Sequence, residues 1–537
     1  MPRQADPRER GPASEVELLE LRVLDGPNRF FTRPAVKLEF RGDVPGAAAA
    51  VAAGAALAVK RLHLALDLAE PRLATRHSVD GRRTAVAFAW RRRTISQAIG
   101  AAAARIALGR STDRREVGGL RAVALGPLAH LPRPRIPIVA ITGTNGKSTT
   151  TRLITHIATR AGRTVGMTNS DGIYVRGELV EAGDWTGFGG ASRVLAEPGL
   201  DLAVLETARG GILLRGIGYA ANDVSVVTNV SADHLGLQGI DTVDELADVK
   251  AAIVRITKRD GWAVLNADDD RSWTMRRETR AGIYAFSLDG RTARVEEALD
   301  RGGRAAVLED GWLVLRTAGR RPRRLAEASA LPVTFAGLSR YNVANALAAA
   351  AACDALGLTT RQIGAGLRSF GLDMATNPGR LNVFERSGTF AIVDFAHNEA
   401  GLTGLMDVAR GLAGGRRVRL AMGTAGDRTD EILHRLGVVA GAADDLVIAE
   451  KEHYLRGRDL EEMNELLRAG ARAGGYRGEI PSTGSELAAL QQLLGRARRG
   501  DVCVVMAHVE RNELFDWLKA NEFAPMAPDR LRTLLER

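Results

Sequence analysis

The sequence predicts an α/β protein of several domains. A central domain with a mainly parallel sheet surrounds a glycine-rich loop, a second α/β domain lies C-terminal to it, and a small α+β domain precedes it. Three observations carry this reading. In 137–150, PIVAITGTNGKSTT, an apolar run stops at Thr142, a glycine-rich turn follows, and Lys147-Ser148 opens a helix-like segment. Beyond it, short apolar runs alternate with helix-length stretches, as parallel strands do when helical crossovers cover both sheet faces. A break at Asn377-Pro378-Gly379 then precedes a second block of the same alternation.

In chain order, residues 1–14 are polar and rich in Pro and Arg, and are expected to form a disordered tail without a secretion signal. Residues 15–130 read as the small α+β domain. Strands are expected over 16–24 and 36–40 around the turn Gly26-Pro27-Asn28, with alanine-rich helices near 46–64 and 94–108. A Pro-rich linker, 131–136, leads into the central domain, 137–375. Its expected elements are strand 137–141, helix 147–161, strands 163–168, 201–206 and 224–229, helix 243–258 and strand 261–265. Residues 300–333 read as a small β-insertion, followed by helices near 341–356 and 360–369. The C-terminal domain, 376–537, has strands expected near 389–394, 417–422, 445–449 and 502–506. The sequence shows no repeat of 20–50 residues.

With 537 residues, 45% hydrophobic and 26% charged, the composition is that of a soluble globular protein. There is no run of eighteen strongly apolar residues, and 47–59 reads as too short to span a bilayer. No membrane partner and a cytoplasmic location are therefore expected. Cys353 and Cys503 have no metal-ligand spacing and are expected to be buried free thiols. The formal net charge of +10 raises nucleic acid as a partner. Its Lys and Arg are scattered, however, and aromatics make up only 5%, so no nucleic-acid function is expected.

The chemistry starts at the glycine-rich turn. Amides of such a turn converge on an anion at a helix N-terminus, where the helix dipole also favours negative charge. Gly143, Thr144, Asn145, Gly146, Lys147, Ser148 and Thr149 are the candidate nucleotide cradle, with Lys147 on the terminal phosphates and Ser148 on Mg²⁺. The loop is shorter than the usual G-x-x-x-x-G-K-[ST] pattern, whose first glycine would fall at Ile141. Other candidates sit at strand ends, where open α/β sheets bind ligands. Glu206 ends one strand, Asp233-His234 follows another, and Asn266 ends a third before Asp268-Asp269-Asp270. Mg²⁺ on phosphates needs hard oxygen ligands of this kind.

Taken together, these stretches resemble the Mur ligase family, and within it the Mur-like part of the cyanophycin synthetases. The likeness runs from Gly143-Thr144-Asn145-Gly146-Lys147-Ser148 through Gly183-Asp184-Trp185-Thr186-Gly187 and Leu205-Glu206-Thr207-Ala208-Arg209-Gly210-Gly211. It continues with Asp233-His234-Leu235-Gly236, Pro378-Gly379-Arg380-Leu381-Asn382, Asp394-Phe395-Ala396-His397-Asn398 and Leu455-Arg456-Gly457-Arg458. Leu21-Arg22-Val23-Leu24-Asp25-Gly26-Pro27-Asn28 is similar to the opening of the cyanophycin synthetases. In those enzymes an ATP-grasp domain separates this segment from the Mur-like part, whereas here 131–136 runs straight into the loop.

The resemblance implies an ATP-dependent ligase that joins an amine or amino acid to a small-molecule or peptide carboxylate through an acyl phosphate. It implies ATP and two Mg²⁺ ions as cofactors. By the same resemblance Glu206 serves the first ion, and His234 serves a second that bridges the acceptor. Lys250 is a candidate for carbamylation beside that ion, or a surface helix lysine. Asn266 matches an adenine contact, and Arg380 and Asp394 match phosphate and ribose contacts. Asn342 and Asn345 match a helix start whose usual histidine is Tyr341 here, and His397 and Asn398 are expected to shape the same cleft. Ser170 and Thr186 lie in segments expected on the acceptor side, where Arg209 pairs either with a substrate carboxylate or within the protein. The amine side is expected around Asp427-Arg428 or Arg456-Gly457-Arg458. A nucleotide-gated accessory subunit for a separate ATP-grasp partner is the alternative, and a homo-oligomer stays open.

Overall fold

The computed structural model describes residues 15–132, 135–371 and 373–535. The tail expected over 1–14 and two residues of the expected linker lie outside the described residues.

The front domain is a four-stranded antiparallel sheet in the order Val16–Leu24, Ala35–Gly42, Arg83–Ala89, Leu73–His77. The hairpin Leu73–His77 to Arg83–Ala89 is not foreseen, because LATRH carries no apolar alternation. Helices Ala47–Ala65 and Arg93–Ala107 pack on this sheet through two apolar clusters. The first helix runs nineteen residues, so by length and composition it could cross a membrane, which corrects the reading of 47–59 as too short. Its Ala52, Ala55, Ala58, Val59 and Leu62 are buried against the sheet, so this apolar stripe serves the domain core.

The central domain is built on an eleven-stranded sheet whose middle seven strands are parallel. Ile138–Thr142, every residue buried, lies at its centre between Leu202–Glu206 and Asn222–Val227. From this strand the chain builds outward first on one side and then on the other. The carboxyl ends of neighbouring strands therefore open onto one crevice, as at the switch point of a doubly wound sheet. Two antiparallel strands finish each edge.

Two expectations need correction. The helix expected over 243–258 is Val243–Lys250 followed by the short Ala252–Arg255, and Thr257 already opens the strand Thr257–Asn266. The Thr257 hydroxyl bonds Ser225 Oγ at 2.8 Å and Ile253 O at 3.1 Å, so sheet pairing overrides the helical pattern there. Nor is 300–333 a separate insertion. Arg304–Glu309 joins the main sheet parallel to Gly282–Ser287, and Trp312–Thr317 and Arg323–Glu327 extend that sheet to its edge.

The C-terminal domain is a seven-stranded sheet with Thr389–Asp394 beside Val502–Met506, then Val418–Met422 and Asp445–Ala449, all parallel. Its Asp394 end faces the central crevice. The seam between the two domains is polar and specific. Asp171 takes Arg152 from its own domain and Arg511 Nη1 at 2.7 Å from the C-terminal one. Cys353 and Cys503 are both buried free thiols.

Helix Arg340–Ala355 is buried along nearly its whole length between the sheet and its neighbours, with Leu347 fully buried. Leu347→Ala is expected to destabilise the central domain by about 2–5 kcal/mol through lost burial and the cavity left behind. Urea unfolding followed by circular dichroism checks it, and a loss well below that range would mean the site collapses around the smaller residue.

Candidate active site

A single crevice of about 1050 Å³ collects most of the residues singled out in the sequence. The phosphate loop, Glu206, Asp233, His234, Lys250, Asn266, Arg380 and Asp394 all line it, together with Arg209, Asp427, Arg428, Tyr454 and Arg456.

The loop itself is wedged between two neighbours. Gly143 has φ +150°, and a Cβ there would lie 1.8 Å from Thr228 Oγ1. At Gly146, with φ +82°, it would lie 2.2 Å from Asn345 Oδ1. Only glycine fits at either point. Thr144 N donates to Asn229 O at 2.9 Å, and Asn145 N donates to Asn229 Oδ1 at 3.0 Å. Helix Lys147–Arg160 starts at Gly146, and the amides of its first turn have no intrahelical acceptor, which leaves them for an anion. Lys147 Nζ donates to Thr144 O at 2.9 Å, folded over the loop it would leave to meet a phosphate.

Glu206 closes strand Leu202–Glu206 next to the loop. Its Oε2 is buried without a hydrogen-bond partner. Burial pushes the carboxyl above its ordinary range, and Lys147 and the Ser148 hydroxyl pull it back. An orphaned, desolvated carboxylate oxygen beside a hydroxyl is a donor pair that a Mg²⁺ ion on phosphates would complete. The donors at His234 are different. His234 Nδ1 accepts from Arg428 Nη1 at 2.5 Å, and Nε2 faces Asp233 Oδ2 at 3.8 Å, beyond hydrogen-bond distance. Among the described residues no group of three His, Cys, Asp or Glu side chains is spaced to hold an ion. The residues present fit an ion at Ser148 and Glu206, while at His234 the Nδ1 is taken up by Arg428.

Lys250 is not a surface lysine. It is 3% exposed, and its Nζ donates to Gly143 O at 2.6 Å, beneath the loop. Burial, then the Lys147 charge, hold its amine well below the usual lysine range. Asn266 Nδ2 donates to Thr228 O at 2.8 Å. From the opposite domain, Arg380 lies over the Phe395 ring at 4.2 Å, and Asp394 accepts from Leu381 N and Ala396 N, both at 2.7 Å. Asn145 and Asn398 exchange amide hydrogen bonds at 3.1 and 3.0 Å across the seam. Asn345 donates to Asn342 Oδ1 at 3.0 Å, and both asparagines line the crevice, Asn345 against Gly146.

The far end of the crevice is a row of charges. Arg209 donates to Leu237 O, and its Nε is buried without a partner. Arg428 approaches Asp233 at 3.4 Å and Asp427 at 3.6 Å, while Arg456 pairs with Asp427. Arg458 instead holds the loop, donating to Gly426 O at 3.0 Å and Arg428 O at 2.8 Å. Ser170 and Thr186 line the crevice, whereas Asp171 does not. Sequence reading missed a buried trio under the Arg380 side. Lys451 Nζ pairs with Glu486 at 2.8 Å and contacts His508, whose Nε2 lies 2.8 Å from Ala396 O. Each member sits alone at the end of a different element, so no local motif marks the trio.

Comparison with known proteins gives the family. Residues 141–353 match the Mur ligase middle domain, and 379–509 match the Mur ligase glutamate ligase domain. A UDP-N-acetylmuramyl-tripeptide synthetase from Deinococcus radiodurans is 30% identical over 394 residues, 71% of this chain and 75% of that one. The chain belongs to the Mur ligase family. Mur ligases are ATP-dependent carboxylate–amine ligases. A cyanophycin synthetase from Nostoc sp. is 42% identical over 336 residues, 63% of this chain but only 37% of that protein. The chain thus spans well under half the length of that relative. A bifunctional folylpolyglutamate synthase/dihydrofolate synthase solved with Mn, AMPPNP and L-glutamate shares the fold at TM-score 0.50 and 18% identity, covering 72% of this chain and 89% of that one.

His234 yields a pH prediction. Burial moves its pKa from 6.5 to about 4, with Asp233 opposing and Arg428 adding to the shift. The unfolded chain takes up this proton first, so His234 contributes no pH dependence above about 6.5, and stability falls as pH drops from there toward 4. NMR titration of the His234 ring is expected to show the neutral form throughout pH 6–8; a midpoint near 6.5 would contradict the buried, Arg-facing placement.

Proposed function

We propose that this chain activates a carboxylate at the Glu206 side of the crevice as an acyl phosphate and joins it to an amine delivered from the C-terminal side. The observation that carries this reading is the juxtaposition, in one crevice, of a phosphate loop, an unpartnered buried carboxylate and a row of guanidinium groups. Bound ATP supplies the phosphoryl group that turns a poor oxide leaving group into a good one, and Mg²⁺ offsets the phosphate charge.

The residues then have separate tasks. The amides of 146–149 and Lys147 would orient the phosphates, and Ser148 and Glu206 would hold the ion. Asn266 would meet the base, while Arg380 and Asp394 would grip phosphate and ribose from the other domain. Arg209, with no carboxylate partner of its own within 4 Å among the described residues, suits a carboxylate of the acceptor. Asp427, Arg428 and Arg456 would receive the amine. Neutral His234 keeps Arg428 and Asp233 in register. Lys250, its amine held by burial well below the usual lysine range, suits addition of CO₂ to the neutral amine to give a carbamate with release of one proton, a group that would stay buried beneath Gly143. Closure of two domains on one nucleotide would exclude water from the activated carboxylate.

A panel of carboxylates and amines, followed by ADP release, hydroxylamine trapping and mass spectrometry of products, tests the reading. ADP is expected only with a matched pair, and Lys147→Ala is expected to lower the rate by roughly 10²–10³. ATP binding without substrate-dependent ADP under any pairing would favour an accessory role beside a separate ATP-grasp ligase. The metal assignment has its own check in calorimetry. Glu206→Gln is expected to weaken Mg²⁺-dependent ATP binding by about 10–100-fold while Mg²⁺-free binding is kept. Equal loss in both conditions would move the ion elsewhere.

A further inference from the structure

We infer that the N-terminal domain is a structural part of the ligase centre, holding the wall that faces the acceptor, and that Arg83 and Arg29 are its positioning residues. This rests on the proposed function only for what the wall faces. The wall consists of two segments that line the crevice: the helix Arg209–Leu214, and the loop that carries His234, Leu237 and Gln238. Arg209 ties the two together through Leu237 O.

Behind both segments lies the N-terminal domain. Asp25 N donates to Arg215 O at 2.8 Å, and Ile217 N donates to Pro27 O at 2.7 Å, so the turn Asp25-Gly26-Pro27 runs beside 215–217 like a short extra strand. Gly26 has no room for a side chain, because a Cβ would lie 1.8 Å from Ile217 O. Gln238 lines the ligase crevice on one side and a small interdomain cleft with Arg29, Arg76 and Arg83 on the other. At Gln238 the wall is one residue thick.

The loop needs such support. His234 at φ 51° and Gln238 at φ 54° are left-handed, as are Gly236 and Gly239. Non-glycine residues keep that conformation only where their surroundings over-determine it. The N-terminal domain supplies the constraint. The Glu39 carboxylate sits under Gly239, where a Cβ would come within 2.7 Å, and Arg83 pairs with Asp241 where the loop ends. Arg29 joins Asp248 at 2.8 Å and approaches Glu245 at 3.6 Å, on the same helix that presents Lys250 to Gly143. One line of contacts therefore runs from the N-terminal domain to the His234 loop, and another runs to the floor of the phosphate loop.

Arg83→Ala and Asp241→Ala, made in the full chain, are each expected to raise the acceptor KM about tenfold with the ATP KM unchanged, because misplacing a positioning element is costly. The double charge reversal, Arg83→Asp with Asp241→Arg, is expected to restore it. An unchanged acceptor KM in both single variants would overturn the inference, as would acceptor and ATP KM rising together without rescue. Hydrogen exchange reads the same contact without substrate. Faster exchange over 234–241 in Arg83→Ala, at unchanged melting temperature, supports the inference, and unchanged exchange overturns it. A wild-type chain that turns over no pair of substrates would count against the ligase reading, while the exchange result would still decide this one.

Discussion

The structure depends on one close approach. The backbone of the glycine-rich loop is pressed between Thr228 on one neighbouring strand end and Asn345 on the long buried helix, with no space for a β-carbon at Gly143 or Gly146. That contact sets the loop height above the sheet, and therefore where an anion on its amides meets Glu206. It also explains why Lys250 is buried: its amine end lies directly beneath Gly143 and fills the space under the turn. Loop, carboxylate and lysine are thus fixed by backbone packing before any substrate is present, which is the preorganisation that charge-stabilising catalysis relies on.

The parts of the site legible in the sequence are those set by local chain direction. A parallel strand puts its last residue and the following turn at the crevice, so Thr142, Glu206 and Asn266 could be placed from the apolar runs before them, as could the turn carrying His234. The domain-crossing contacts were not legible in the same way. Nothing near Asn398 says that it pairs with Asn145, 253 residues away, or that Arg428 bonds His234. Resemblance to a family brought these residues forward as cleft residues, without their partners. The Lys451, Glu486 and His508 trio escaped both routes, because it is assembled from three separate strand or helix ends.

Where the fold departs from the expected pattern, tertiary pairing is the cause. Ile253 to Thr257 looks helical by spacing, but the Thr257 hydroxyl and its pairing with Asn222 draw that end into the sheet. The three strands after Gly303 have the irregular look of an inserted hairpin, yet they complete an existing sheet edge. Arg29, Arg76 and Arg83 read as scattered surface charges in a basic chain. Their carboxylate partners lie on a different domain, and that docking gives the charges meaning.

The two seams of the molecule differ in how they answer ionic strength. On the N-terminal side the ion pairs include exposed arms, with Arg215 57% and Arg76 41% accessible. Counter-ions reach such pairs readily. On the C-terminal side the arginines that cross the seam are less accessible, Arg511 at 31% and Arg428 at 3%, and the Asn145–Asn398 exchange carries no charge at all. A rise in salt would therefore loosen the back of the acceptor wall while leaving the nucleotide-side latch shut. Salt concentration alone could separate acceptor handling from nucleotide handling in this protein.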